Sequence, residues 1–166
     1  MLNIVILTIS DKSWEGKRED KSSPAIRDAL SCLEHRIAGY EVVPDETGMI
    51  ADKLVEWAEA DIDVIITTGG TGLATRDVTP EATLSIVDKV VPGIGEAMRA
   101  ETFKITPTAI LSRATAGVRD KCLIINLPGS PKAVRECLEI ILPVIPHAVE
   151  IIRGDVTEHG DTQNEA

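Results

Sequence analysis

Apolar residues occur along this chain in short β-branched runs that alternate with stretches of helical periodicity. The runs at 2–9 (LNIVILTI), 40–44 (YEVVP) and 62–68 (IDVIITT) predict the first three strands. The first run is almost uninterrupted, which is typical of a strand buried on both faces of a parallel sheet. Segments 108–118 (TAILSRATAGV) and 121–128 (KCLIINLP) predict a fourth and a fifth strand, or a strand beside a loop.

Three helices are expected to begin where a proline directly follows a serine or threonine, because proline is favoured at the first helical position and the preceding hydroxyl can cap the helix. These pairs are Ser23-Pro24, Thr79-Pro80 and Ser130-Pro131. Spacings of three and four extend the first helix to Ile37, with its end at Gly39. The second is expected to run to about Val90. The third must kink or split at Pro143 and Pro146, which remove backbone donors.

Further helices are expected at about 47–57 and 94–104, so strands and helices alternate along the chain. This alternation predicts an α/β fold with right-handed crossovers, a mostly parallel central sheet and helices on both faces. A single domain is expected over residues 1–154, and the acidic, polar segment 155–166 is expected to be disordered. Ligands of such sheets bind at the carboxyl ends of the strands.

Net charge and cysteine content exclude some classes of function and indicate the compartment. The net charge of -10 argues against general binding of nucleic acid or of an anionic membrane, and a polyanionic ligand would need a cation brought with it. No apolar run approaches the roughly 20 residues of a membrane span. Cys32, Cys122 and Cys137 lack metal-binding spacing, so we expect reduced, buried thiols in a cytoplasmic protein.

A glycine-rich loop follows the third strand and carries the strongest chemical signal. Its residues Gly69, Gly70, Thr71 and Gly72 permit positive φ and expose amide N–H groups to an anion such as phosphate. Alternatively, the glycine loop is only a tight turn between a strand and a helix and binds no ligand. Thr75 stands where the dinucleotide fingerprint requires glycine, and no Gly-Lys-Ser/Thr ending of a P-loop is present.

Two aspartates at neighbouring strand ends suggest a metal ion. Asp77 follows the glycine loop and Asp45 follows the second strand. A carboxylate beside bound phosphate is repulsive unless a cation lies between them, and Mg²⁺ is commonly held by one or two carboxylates plus substrate phosphates. The alternative is that Asp77 only complements a helix dipole. Arg76 could bind phosphate or pair with Asp77.

Three other features have both a functional and a structural interpretation. The loop of Pro128, Gly129, Ser130 and Pro131 begins a helix whose first amides form an anion site, or is only a strand-to-helix junction. Ser112 and Arg113 could contact a ligand or form a surface turn. Trp14 could cover a heterocycle, although we expect it to pack beneath its loop.

Six segments, in order, resemble the MogA-type molybdopterin adenylyltransferases. They are TISDKSWEGKREDKSSP (8–24), VPDE (43–46), TTGGTG leading to RDVTPEAT (67–83), PGIGEAMR (92–99), ITPTAILSRATAG (105–117) and LIINLPGSPKAV (123–134). The resemblance runs from about Ile4 to Gly154. The sequence departs from the usual residues of the family at Lys12, Ser22-Ser23 and Ser130. These departures concern the expected contacts of the first loop and of the pterin, but not the roles of the two aspartates.

The resemblance implies a three-layer α/β fold, usually trimeric, that uses Mg²⁺ and ATP to adenylate the terminal phosphate of molybdopterin and passes the product to a molybdate-insertion protein. It also implies that Asp45 and Asp77 are essential. The other site residues that it implies are Ser10, Asp11, Gly69, Gly70, Thr71, Gly72, Ser112, Pro128, Gly129, Ser130 and Pro131. A MoaB-like paralogue that binds molybdopterin without adenylyltransferase activity is the main alternative, and a scaffold protein is a weaker one.

Overall fold

A six-stranded sheet forms the centre of the molecule in the computed structural model, which describes residues 1–155. The strands are β1 (Leu2–Ile9), β2 (His35–Val43), β3 (Val64–Thr68), β4 (Lys89–Val90), β5 (Ala116–Arg119) and β6 (Cys122–Leu127). Their spatial order is β2-β1-β3-β6-β5-β4. The first four in this order are parallel, β5 pairs antiparallel with β6, and β4 pairs antiparallel with β5. The predicted mostly parallel α/β sheet is confirmed. Residues 156–166, most of the predicted tail, lie outside the described residues.

Seven helices connect or follow the strands of the described chain. They are α1 (Asp11–Trp14), α2 (Ser22–Leu30), α3 (Thr47–Ala58), α4 (Thr79–Leu84), α5 (Pro92–Phe103), α6 (Pro131–Ile141) and α7 (Ile145–Arg153). Of the three predicted caps, that of α6 is confirmed, since the Ser130 hydroxyl accepts a hydrogen bond from the Ala133 amide at 3.1 Å. The other two are wrong: Ser23 and Thr79 lie inside α2 and α4, whose N-cap residues Lys21 and Val78 make no side-chain cap. A 3₁₀ turn at Leu142–Val144 separates α6 from α7, as the two prolines predict.

Helix α2, the first helix predicted from the sequence, is much shorter than predicted. It ends at Leu30, and β2 already begins at His35, so Ile37 and Gly39 lie in a strand. Burial along β2 alternates between adjacent residues because this strand is at the edge of the sheet. The spacing of four between Leu33 and Ile37 fits a period of two as well as a helical period, which explains the error.

The region after the glycine loop also differs from the prediction. Helix α4 ends at Leu84, where Ser85 caps it through a hydroxyl hydrogen bond to the Ala82 carbonyl at 2.7 Å, and the chain then enters β4. The segment predicted as a fourth strand begins as a 3₁₀ turn at Pro107–Leu111. Only Ala116–Arg119 pairs with the sheet, as β5.

The sheet is covered on both faces, so its central strands are buried throughout. Alternate residues of β1 enter two different apolar clusters: Ile4 and Ile6 pack with α2, α5, α6 and α7, whereas Val5 and Leu7 pack with α3 and α4. Within residues 1–155, no helix is both long enough and apolar enough to cross a lipid bilayer.

Two smaller expectations are corrected. Cys122 and Cys137 are buried, and burial raises the pKa of their thiols to about 12 and about 11. Cys32 is exposed in the turn after α2, so the expectation of three buried thiols is wrong. Trp14 is 52% exposed, and the short helix α1 that contains it has no buried residue. The expectation that Trp14 packs beneath its loop is therefore wrong.

Candidate active site

A cleft of about 610 Å³ lies at the carboxyl ends of β1, β3 and β6. Because these strands are parallel and adjacent, the loops that follow them meet at one edge of the sheet. The cleft is lined by Ser10 and the 18–22 segment after β1, Asp45 after β2, Gly69, Gly70 and Asp77 after β3, and the 129–131 loop after β6. The structure therefore brings together most of the residues proposed from sequence.

The glycine loop makes close backbone contacts that only glycine allows. Gly69 and Gly70 have φ of +99° and +67°. A Cβ atom on Gly69 would overlap the Ile9 carbonyl, and one on Gly70 would overlap the Thr79 hydroxyl. On the other side, Gly129 approaches so closely that its Cβ would lie 3.4 Å from the Gly69 Cα. These contacts pack the two loops against each other and against the end of β1.

All four carbonyl groups of residues 69–72 accept hydrogen bonds from the protein. The Thr79 hydroxyl and amide bind the first two, at 2.9 and 3.1 Å, and the Arg113 amide and Nε bind the other two, both at 2.8 Å. Because the peptide bonds are trans, the N–H that follows each carbonyl points away from Thr79 or Arg113. Within the described chain the N–H groups of residues 70–73 donate no hydrogen bond, so four consecutive donors are available to an anion.

The Asp77 side chain folds back onto the same loop. Its Oδ2 accepts a hydrogen bond from the Ala74 amide at 2.9 Å and lies 2.8 Å from the position that a Cβ on Gly72 would occupy. The Asp77 carbonyl accepts a hydrogen bond from Arg113 Nη2 at 2.7 Å. The carboxylate is thus held through one oxygen, and its other oxygen accepts no hydrogen bond from residues 1–155.

Asp45 reaches the glycine loop from the end of β2. Its Oδ2 accepts a hydrogen bond from the Asp11 amide at 2.9 Å, and its own amide donates to Asp11 Oδ1 at 3.0 Å. The Asp45 Oδ1 lies 3.2 Å from the position of a Cβ on Gly70. Burial raises the pKa of Asp45, and the negative charges of Asp11 and Asp77 raise it further. The two aspartates therefore interact electrostatically across the glycine loop.

Arg76 links the segments that follow β1 and β2, and it does not pair with Asp77. Its Nε and Nη2 bind the two carboxylate oxygens of Asp11, each at 2.8 Å, and Nη2 lies 3.0 Å from Glu46. These hydrogen bonds lower the pKa of Asp11, which stays ionised. The Ser10 hydroxyl accepts a hydrogen bond from the Ser13 amide at 3.2 Å and caps α1.

Asp20 fixes the loop that forms the opposite side of the cleft. Its carboxylate accepts hydrogen bonds from the hydroxyls of Thr8 and Tyr40, both at 2.7 Å, and from the Ser22 amide at 2.8 Å. Burial alone would raise the pKa of Asp20, but these hydrogen bonds outweigh it and the pKa is lowered. The Ser22 hydroxyl donates to the Gly129 carbonyl at 2.6 Å, which joins this loop to the 128–131 loop.

Two basic residues on this loop were not recognised as site residues from the sequence. Arg18 and Lys21 line the cleft, and neither makes an ion pair with a described residue. Lys21 lies between Asp20 and Ser22, both of which are tied down, so its backbone is fixed at the rim. The sequence signal was present in the run GKREDKSS, but alternating charge there is also typical of a solvated surface.

Ser112 lies in a second cavity of about 390 Å³ rather than in the main cleft. This cavity has an apolar wall from Met98, Ala114 and Pro128, and Ser130 lines both cavities. The two spaces therefore adjoin at the 128–131 loop.

The acidic residues suit a cation that also receives ligands from a substrate. In the part of the chain that the structure describes, no three His, Cys, Asp or Glu side chains are placed to hold a metal ion. Asp45 and Asp77 together offer two carboxylates, each held through Oδ2. This fits Mg²⁺, which usually takes one or two carboxylates and completes its shell with phosphate oxygens and water.

Comparison with known proteins identifies the class. A family model described as "Probable molybdopterin binding domain" matches residues 5–147, so the chain belongs to this family of α/β domains. The resemblance inferred from the six sequence segments is confirmed.

Individual relatives cover nearly the whole chain. The molybdopterin adenylyltransferase of Helicobacter pylori strain J99 is 48% identical over 157 residues, which are 93% of this chain and 89% of that protein. That of Escherichia coli K12 is 40% identical, with 96% of this chain and 79% of the relative covered. Among solved structures, the molybdopterin biosynthesis enzyme MoaB from Thermus thermophilus superposes with a TM-score of 0.88 at 51% identity, covering 93% of this chain and 98% of that one.

Proposed function

We propose that this protein transfers AMP from Mg-ATP to the terminal phosphate of molybdopterin, giving adenylated molybdopterin and pyrophosphate. The observation that carries the proposal is the set of four amides at residues 70–73, which donate to no described residue, beside the half-engaged carboxylates of Asp45 and Asp77. The names of the relatives from Helicobacter pylori and Escherichia coli support the same activity.

The reaction needs positioning and charge neutralisation rather than a protein base. A phosphate monoester is already anionic near neutral pH, so its oxygen can attack the α-phosphorus of ATP without a general base. The bond between the α-phosphorus and the bridging oxygen breaks, and pyrophosphate leaves. No histidine or cysteine lines the main cleft within the described residues, which agrees with this mechanism. The amides of residues 70–73 would hold a phosphate group in line for attack.

Asp45 and Asp77 are the residues that would hold Mg²⁺. When bound, the ion would neutralise charge at the phosphates and would remove the repulsion between them and the carboxylates. The protein contributes the fixed orientation of both side chains, through the Asp11 amide and the Ala74 amide respectively. Asp45 must lose its proton to bind the ion, so its raised pKa makes binding weaker at acidic pH.

The two adjoining cavities suggest where the substrates lie. Arg18 and Lys21 offer positive charge to the ATP phosphates in the main cleft. The second cavity, with its apolar wall and the Ser112 hydroxyl, suits the pterin ring. The 128–131 loop between them would then lie beside the phosphate that is adenylated.

We also propose that the protein is a homotrimer and acts in the cytoplasm, where a molybdate-insertion protein receives its product. Phe103, Ile105, Ile110 and Leu111 are 46–59% exposed within nine residues, and apolar exposure of this density supports an assembly surface. The three free cysteines agree with a reducing compartment. Sedimentation velocity tests the trimer.

The activity is tested by measuring pyrophosphate release from Mg-ATP with and without molybdopterin. We expect release that depends on molybdopterin and that falls by several factors of ten in Asp77→Asn, while the circular dichroism spectrum and thermal midpoint stay unchanged. Binding of molybdopterin without pyrophosphate release would support the binding-only paralogue. Equal turnover of the wild type and Asp77→Asn would contradict the mechanism.

A further inference from the structure

Arg113 is a half-buried arginine outside the main cleft whose side-chain nitrogens bind the carbonyls of Gly72 and Asp77 and the carboxylate of Glu81 in α4. Its side chain is 33% exposed, and it follows Ser112 directly after the 3₁₀ turn. Its backbone amide binds the Thr71 carbonyl at 2.8 Å. We propose that Arg113 is a positioning residue that orients the amides of residues 72 and 73 and the Asp77 side chain without touching a substrate.

The guanidinium bridges the two ends of the segment that carries these groups. Nε donates to the Gly72 carbonyl at 2.8 Å and Nη2 donates to the Asp77 carbonyl at 2.7 Å. Nη1 binds the Glu81 carboxylate, whose pKa is lowered by this contact, so Glu81 holds the guanidinium in place from the first turn of α4. The planar fork of arginine suits these divergent acceptors, whereas a lysine ammonium would keep the charge but could not hold all of them.

The positions of the bound carbonyls determine the direction of the free donors. With the carbonyls of residues 71 and 72 fixed on Arg113, the amides of residues 72 and 73 point to the opposite side. Fixing the Asp77 carbonyl likewise fixes the backbone from which its carboxylate extends. Loss of the guanidinium would leave the half-buried carbonyls of Gly72 and Asp77 to find water or to rotate, and rotation of the Gly72–Leu73 peptide removes the amide of residue 73 from the anion site.

Arg119 provides a matched control. It is also half-buried, at 24% side-chain exposure, and its Nη1 donates to a backbone carbonyl, that of Ile86, at 2.8 Å, while Nη2 lies 3.5 Å from Glu59. It is not among the residues that line either cavity. A purely structural role for Arg113 would therefore give the same result as Arg119 when each is changed to lysine.

This inference rests on the proposed function, so the experiment measures anion binding separately from turnover. Calorimetry with inorganic pyrophosphate plus Mg²⁺, pyrophosphate release at saturating substrates, and urea unfolding are measured for the wild type, Arg113→Lys and Arg119→Lys. We expect Arg113→Lys to lose at least tenfold in pyrophosphate affinity and tenfold in kcat, while Arg119→Lys loses less than twofold in each and both variants remain folded.

The other outcomes distinguish failure of this inference from failure of the proposed function. Wild-type affinity and kcat in Arg113→Lys, or equal losses in the two variants, would overturn it. If Arg113→Lys does not fold, Glu81→Ala is measured instead, because it leaves the arginine in place but removes the carboxylate that anchors it; wild-type pyrophosphate binding in that variant would also overturn the inference. If the wild type binds pyrophosphate but does not turn over, the proposed function fails while the binding comparison still decides the role of Arg113. If the wild type binds no pyrophosphate, both proposals fail.

Discussion

Gly72→Ala displaces the Asp77 carboxylate without removing it. The added Cβ would lie 2.8 Å from Asp77 Oδ2, and ordinary contact begins at 3.4 Å, so the carboxylate must move by about 0.6 Å. Gly72 does not have a positive φ, so alanine fits the backbone, and the atom that moves is the end of a side chain. The cost in folding free energy should therefore stay below about 1 kcal/mol.

The expected cost in activity is much larger. A misplacement of about 1 Å at a reacting centre can lower a rate by about a hundredfold, so a shift of roughly half that size should lower kcat at least about tenfold, or about 1.4 kcal/mol. If Asp77 binds Mg²⁺, the variant should also need more Mg²⁺ for half-maximal pyrophosphate release. The measurements are pyrophosphate release over a Mg²⁺ titration and urea unfolding of the same preparations.

Gly93→Ala is the matched control, because a Cβ at this position in the first turn of α5 meets no atom within 4 Å. We expect unchanged turnover and a free energy of unfolding that is unchanged or as much as about 1 kcal/mol higher. Full activity of Gly72→Ala at every Mg²⁺ concentration would refute the reasoning. So would a loss of activity that is matched by a loss of folded protein.

Three further predictions follow from single contacts. Asp45→Asn should abolish turnover. Without Mg²⁺, its free energy of unfolding should exceed that of the wild type at neutral pH and equal it at acidic pH, because folding raises the pKa of Asp45 and so disfavours the ionised side chain. A lower free energy of unfolding than the wild type at neutral pH would contradict this. Lys21→Ala should raise the KM for ATP about tenfold, whereas Lys12→Ala, in α1 and outside the cleft, should not; equal KM values would remove Lys21 from the site. Ser130→Ala should lower the free energy of unfolding by about 1 kcal/mol in urea titrations, because the Ala133 amide loses its cap; an unchanged value would show that the cap contributes nothing.

The sequence predicted the elements whose signals were local and unambiguous. The buried strand at 2–9 and the cap at Ser130 match the structure. The same serine- or threonine-proline signal at Ser23 and Thr79 marked the start of a helix to within one residue but not its cap. The edge strand β2 was misread because Ile37 satisfies two periodicities, and only its pairing with Ile4 makes it a strand. The stretch before β5 was misread because the 3₁₀ turn at Pro107–Leu111 is as apolar as a strand.

For the site, the sequence indicated which residue types cluster at the strand ends but not how they are held. Asp45 and Asp77 were both proposed, and the structure brings them to the same loop. The partners that fix them were not predictable, because the contact of Asp45 with Asp11 spans 34 residues and that of Arg113 with Asp77 spans 36. The sequence left two roles for Arg76, phosphate binding and pairing with Asp77. Its pairing with Asp11 was not predictable, because the two residues are 65 positions apart.

The hydrogen bonds that hold the carbonyls of residues 69–72 all come from Thr79 and Arg113 of the protein itself. A receptor preorganised in this way loses little ordering entropy on association. It also cannot distinguish a phosphate of the incoming nucleotide from a phosphate of the departing pyrophosphate, since both meet the same rigid donors. We therefore expect pyrophosphate to inhibit competitively with ATP, and its dissociation to set an upper limit on the speed of the catalytic cycle.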